Sequence, residues 1–157
     1  MTPDSYPLRL PGQRSVRGAS RAHALRLGLW LAAVLTSLLV VSPAHAGSYL
    51  YRTALLLSDA SKDSDALRAR LADRELARVV HAMADARVHA AGTMAVPKEV
   101  VQAHPHLLLI LESYERAADA ATRGGHATFL TYTRRAWQEE QVLRSVLKQL
   151  GWQLPSI

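Results

Sequence analysis

Residues 97–122 read PKEVVQAHPHLLLILESYERAADAAT, and the reading of this stretch decides the fold. At about 100° per residue, Val100, Ala103, Leu107, Leu111, Tyr114, Ala118 and Ala121 fall on one side of a helix. Glu112, Arg116 and Asp119 fall opposite. The segment is amphipathic, and it closes on Gly124 and Gly125, a C-terminal stop. Pro97 stands where a first helical residue would stand. Pro105 either kinks this helix or marks its true start, in which case VPKEVVQAH is a separate turn.

Working outward, the same periodicity recurs on both sides. From about His126 to Leu150, Phe129, Tyr132, Ala136, Leu143, Leu147 and Leu150 share a face, with Arg134, Gln138 and Gln141 away from it. Gly151 is the stop. Upstream, Ser48 caps a short helix, YLYRTALLLSDA, which SKDSD interrupts. Ser64 in that break is an N-cap candidate for a second helix from about Asp65 to Ala91, ending at Gly92. No alternating strand pattern longer than a few residues follows Gly47. Short connections between these helices predict an all-α, up-and-down bundle of about four helices over residues 47–157. About 110 residues suffice for one core.

The residues before that domain read as an address. Residues 27–41, LGLWLAAVLTSLLVV, carry no charge and number 15. A spanning helix needs about 20 apolar residues, whereas a secretory h-region needs fewer. Residues 1–26 hold Arg9, Arg14, Arg17, Arg21 and Arg26 against Asp4 alone, a positive n-region. Ser42 and Pro43 end the apolar helix. Ala44 and Ala46 then form an Ala-x-Ala cleavage site, so residues 1–46 are expected to be a signal peptide cut after Ala46. The alternative is an uncleaved anchor that tethers the bundle to a membrane. Export to the periplasm or the medium follows from the first reading. Arginine outnumbers lysine 16 to 3 and alanine is abundant, which points to a GC-rich bacterial genome.

Charge and composition narrow the function classes. The formal charge of +6 is concentrated in the n-region; residues 47–157 hold 14 basic and 12 acidic groups, so the domain lacks the footprint of a nucleic-acid binder. The chain has no cysteine, which excludes disulfides, thiolate zinc sites, Cys-x-x-Cys-His haem attachment and cysteine nucleophiles. It also lacks His-Glu-x-x-His, paired Glu-x-x-His, a phosphate-cradling glycine loop, Gly-x-Ser-x-Gly and an EF-hand loop.

Four polar or apolar features need an explanation. In residues 81–89, HAMADARVH, His81, Asp85 and His89 form one helical stripe opposite a core face of Leu76, Val79, Val80 and Met83. Arg74 and Arg78 beside the stripe oppose a bound cation, so it reads as an ion-paired surface rather than a metal site. Leu67 and Leu71 point toward the same side as the histidines, which an unbroken helix does not explain. Glu140 falls on the inner face of its helix between Ala136 and Leu143. A carboxylate there needs a partner, with Arg144 one turn on, Tyr114, Tyr132 and Arg52 as candidates. Leu108 and Leu109 lie in a run of five large aliphatics and form a candidate partner surface. His104 and His106 flank Pro105 and read as a helix entry.

These observations predict no cofactor and no catalysis. The expected function is binding of a protein partner, or self-association, through a helix face. The alternative is a metal- or haem-binding bundle drawing on Glu140 with His81, His89, His104 or His126. Met83 or Met94 with His126 would be the haem ligands.

Overall fold

The structure, a computed structural model, describes residues 43–157. The n-region and h-region of the expected signal lie outside the described residues. Among the described residues there are four α-helices, one short 3₁₀ turn and no strand. Helix α1 is Pro43–Ala69, α2 is Arg74–Gly92, α3 is His104–Thr122 and α4 is His126–Gln149; the 3₁₀ turn is Lys98–Val100. Together they form an all-α bundle within one compact unit, Ser42–Ile157. No described helix is long and apolar enough to cross a membrane.

The ends of α3 and α4 follow from their glycines. Gly124 and Gly151 adopt left-handed φ values of 76° and 81°, which a side chain disfavours. At the end of α3, Gly125 N–H donates to Ala120 O at 2.8 Å and Gly124 N–H to Ala121 O at 2.9 Å. At the end of α4, Trp152 N–H donates to Leu147 O at 2.8 Å and Gly151 N–H to Lys148 O at 3.1 Å. Both are Schellman motifs, and each satisfies carbonyls the helix leaves open. The start of α3 resolves the two readings of Pro105. It sits in the first turn of α3, where its missing N–H costs nothing, and the 3₁₀ turn precedes it as a separate element.

The first half of the domain departs from the expected boundaries. SKDSD does not break the chain: α1 runs through it without interruption, and Ser48 lies inside α1 rather than at its cap. The break falls at residues 70–73, where Asp73 Oδ1 accepts from Leu76 N–H at 2.9 Å and caps α2. Ser64 is a buried position of α1, not an N-cap. The physical reason is that the SKDSD side chains find tertiary partners. Asp63 pairs with Arg87 of α2, and Ser64 Oγ lies 3.4 Å from Thr133 Oγ1 of α4. Leu67 and Leu71 therefore belong to α1 and the following turn, which removes their conflict with the histidine stripe. Helix α1 also runs through the Ala46–Gly47 bond at which cleavage is expected.

Helix α3 is the central element, packed against α2 on one side and α4 on the other, with α1 across it. The seven inner residues expected of this stretch are all buried, and two of them, Val100 and Ala103, precede α3. The core divides into two clusters. The larger gathers Leu50, Leu57, Leu107, Leu111, Leu143 and Leu147 with their neighbours, and the smaller surrounds Phe129 with Leu67, Val80 and alanines. Between them lies a polar layer of Asp63, Ser64, Arg87 and Thr133. The cavity at this layer is about 10 Å³, no more than one water's worth of space.

The core face of α2 is rotated from the expected one. Its buried residues are Ala77, Val80, Ala84 and Ala91, while Val79 and Met83 are exposed. Small alanines allow α2 to approach α3 closely, and that close approach outweighs burying the larger side chains on the neighbouring face.

Candidate functional site

Rotation of α2 changes the fate of the histidine stripe. His81 is half-buried and its Nε2 lies 2.8 Å from Glu115 Oε1 of α3. It leaves the stripe and ties α2 to α3. Asp85 and His89 remain exposed, and Arg78 is held by Glu75 at 2.5 Å. Among the described residues, no three His, Asp or Glu groups come close enough to hold a metal ion together. Glu140 is on α4, and among the described residues it shares no such cluster with these histidines. Met94 follows the end of α2 and His126 begins α4, so they stand at opposite ends of the up-and-down bundle.

Two further histidines also join helices. His106 Nδ1 lies 2.6 Å from Glu139 Oε1, linking α3 to α4. His104 Nδ1 lies 3.0 Å from Tyr49 Oη, linking α3 to α1. Burial holds His104 below the usual histidine range and pushes Tyr49 above the usual tyrosine range. Both shifts favour neutral groups, so the Tyr49 hydroxyl donates to the unprotonated Nδ1. A folded-state pKa below the unfolded one means the unfolded chain takes up the proton first. This contact contributes its full stability above about pH 6.5 and loses it as pH falls below that. His104→Asn, which keeps an acceptor but does not titrate, is therefore expected to flatten part of the acid loss of Tm seen in the wild type. Parallel curves from pH 8 to 5 would contradict this.

Glu140 finds the nearest of its candidate partners. Arg144 Nη2 and Nε donate to Glu140 Oε1 at 2.6 and 2.9 Å. Tyr114 is buried at the base of the same region; burial raises its hydroxyl above the usual range, and the Glu140 charge adds to that effect. Tyr132 is half-buried against the smaller core cluster, and Arg52 is exposed on α1 and lines a different surface pocket beside Met94 and Glu99. Leu108 packs against the larger cluster, whereas Leu109 is 38% exposed.

The feature that sequence reading missed lies around Glu140. Helices α1 and α4 touch through the Ser64–Thr133 contact, but their backbones scarcely approach one another. A groove runs between them. One part, about 520 Å³, is lined by Ser61, Asp65, Arg68, Tyr114, Leu130, Arg134 and Trp137 among others. The next part, about 550 Å³, is lined by Ala54, Ser58, Ser61, Lys62, Glu140 and Arg144 and closed by Leu154, Pro155 and Ile157. The two meet at Ser61. The Schellman turn at Gly151 sends the C-terminal residues back over this end, where Trp152 and Leu154 pack on the core. On the groove wall Trp137 is 60% exposed and Leu130 44% exposed. The one sequence-level signal was Trp137, a large aromatic off the core stripe in RRAWQEEQ.

Among the described residues, the groove serines make no hydrogen bond to Lys62, Asp65 or Glu140, and Asp65 and Glu140 each stand beside an arginine. Its lining offers aromatic and aliphatic area, hydroxyls and charge. No family model, no curated protein and no solved structure matches this chain.

Proposed function

We propose that this chain is an exported, non-catalytic helical bundle that binds a protein partner through the groove between α1 and α4. The observation that supports it is the exposed Trp137–Leu130 surface beside that groove. Exposed tryptophan in a concave, partly polar setting is the composition of an interface anchor. The groove replaces Leu108 and Leu109 as the leading surface, because Leu108 packs on the core and Leu109 is less exposed than Trp137. The export part rests on the n-region, h-region and Ala-x-Ala pattern of residues 1–46.

The test is native mass spectrometry of protein exported from cells expressing the full chain and purified gently. The expected species has the mass of residues 47–157 together with a protein adduct that Trp137→Ala removes and Leu109→Ala retains. Retention of residues 1–46 would favour the membrane-tethered alternative. An adduct indifferent to Trp137 would refute the groove reading, and a metal or haem adduct would favour the ligand-binding alternative.

A further inference from the structure

The spacing of the groove walls points to the kind of partner. Among the α1 residues that line the groove, Ala54, Ser58, Ser61, Asp65 and Arg68 form a row separated by four, three, four and three residues, with Leu57, Lys62 and Ser64 beside it. On α4 the row is Leu130, Arg134, Trp137, Glu140 and Arg144, again at intervals of three and four, with Thr133 beside it. Intervals of three and four are those of a helix seam that receives the side chains of another helix. Two such seams side by side, with backbones held apart, form a trough for a further helix. Small residues at Ala54, Ser58 and Ser61 leave the holes, and Trp137 and Leu130 supply the apolar area. From Ala54 to Arg68 the walls run for about 21 Å at 1.5 Å per residue, the length of about four helical turns, with Leu154, Pro155 and Ile157 bounding the Ala54 end.

Charge narrows the choice further. Four cations, Lys62, Arg68, Arg134 and Arg144, face two carboxylates, Asp65 and Glu140. Arg144 is bound to Glu140 and Arg68 lies 3.9 Å from Asp65. Lys62 and Arg134 have no ion-pair partner among the described residues. The antiparallel register set by Ser64 and Thr133 places these two at about the same level, one on each rim. A second copy docking groove to groove would bring like charges together, which disfavours self-association. Two unpaired cations are too few for the phosphate contacts of a nucleic acid.

We propose that the trough is occupied by an amphipathic helix of a partner protein, with apolar residues at i, i+3 or i+4, and i+7, and acidic residues on both flanks of that stripe. The inference rests on the groove reading above and specifies the partner. Helix-in-groove docking supplies the affinity through Trp137, and the flanking acids reach Lys62 and Arg134.

The experiment titrates the exported protein into three labelled 18-residue peptides and follows anisotropy. The first carries a leucine stripe flanked by glutamates, the second the same stripe flanked by lysines, and the third is a scramble of the first. Binding is expected for the first alone, weakening as salt rises. Trp137→Ala is expected to raise its Kd about 30-fold. Lys62→Glu with Arg134→Glu is expected to raise it about tenfold and to improve binding of the lysine-flanked peptide. Leu109→Ala is expected to change nothing. All altered residues are exposed, so unchanged thermal melts separate these effects from unfolding. Equal or tighter binding of the lysine-flanked peptide overturns the proposal, as does failure of the glutamate-flanked one. In either case a Trp137-dependent native adduct leaves the groove reading standing; loss of that dependence removes both.

Discussion

Phe129→Ala is expected to destabilise the domain by about 3–5 kcal/mol, the cost of emptying a fully buried aromatic site. Phe129 is the only phenylalanine in the chain and is 1% exposed. Its neighbours in the smaller core cluster are mainly alanines and the aliphatics Leu67 and Val80. Short side chains cannot swing into the vacated volume, so the site collapses poorly and the upper part of the range applies. Domains of this size are stable by about 5–15 kcal/mol in total, so the variant should lose a large share of its stability. Urea unfolding should show a much lower midpoint, with Tm down by on the order of 20 °C. The loss should fall first on the end of the bundle where α3 meets α4. A loss below about 1 kcal/mol would mean that Phe129 is not packed as described.

Breaking the polar layer is the second large effect. The Arg87 side chain is 12% exposed and its Nη2 is ion-paired with Asp63, which is 26% exposed. Arg87 Nη1 is buried without a hydrogen-bond partner among the described residues. The pair is thus desolvated and incompletely satisfied, which makes its net contribution small, while removing one member leaves a half-buried charge. Arg87→Met is expected to cost about 2–3 kcal/mol, less than for a fully buried pair because Asp63 can still reach water. Replacing both, as Asp63→Leu with Arg87→Met, is expected to return stability to within about 1 kcal/mol of the wild type. The signature is this non-additivity in denaturant melts. Equal losses in the single and double variants would show that the pair holds α1 to α2 by attraction rather than by mutual compensation.

The polar layer also explains why the two halves of the domain differ in how openly their sequence states their structure. In α3 and α4 the buried positions are filled by Leu107, Leu111, Phe129, Leu143 and Leu147, whose size makes the helical period plain. Their ends carry Gly124 and Gly151 in conformations that glycine alone adopts readily. In α1 the seam passes through Thr53, Ala60 and Ser64, all buried. Hydroxyls and alanine weigh little in an apolar pattern, so SKDSD looks like a break although the helix continues. The true break, at 70–73, contains no glycine or proline, and only the Asp73 cap marks it. In α2 the same problem reverses the face: the residues that go inside are alanines, while Val79 and Met83 stay out.

The candidate site depended on a property no local pattern carries. Glu140 was identifiable as an inward carboxylate, and Arg144 as its cheapest partner, because both lie on one helix. The partner of His81, Glu115, was not legible because it is on another helix and the rotation of α2 that brings the two together was not visible. The groove itself arises from the spacing between α1 and α4, two elements at opposite ends of the domain sequence. Trp137 is conspicuous only once that gap is known.

The most direct measurement places a photo-crosslinking residue at position 137 in one strain and at position 109 in another, each exporting the full chain. Illumination of living cells then records what stands within reach of each side chain. The groove account predicts a discrete crosslinked protein species from position 137 and none from position 109. A species from position 109 alone, or equal yields at the two positions, would contradict it.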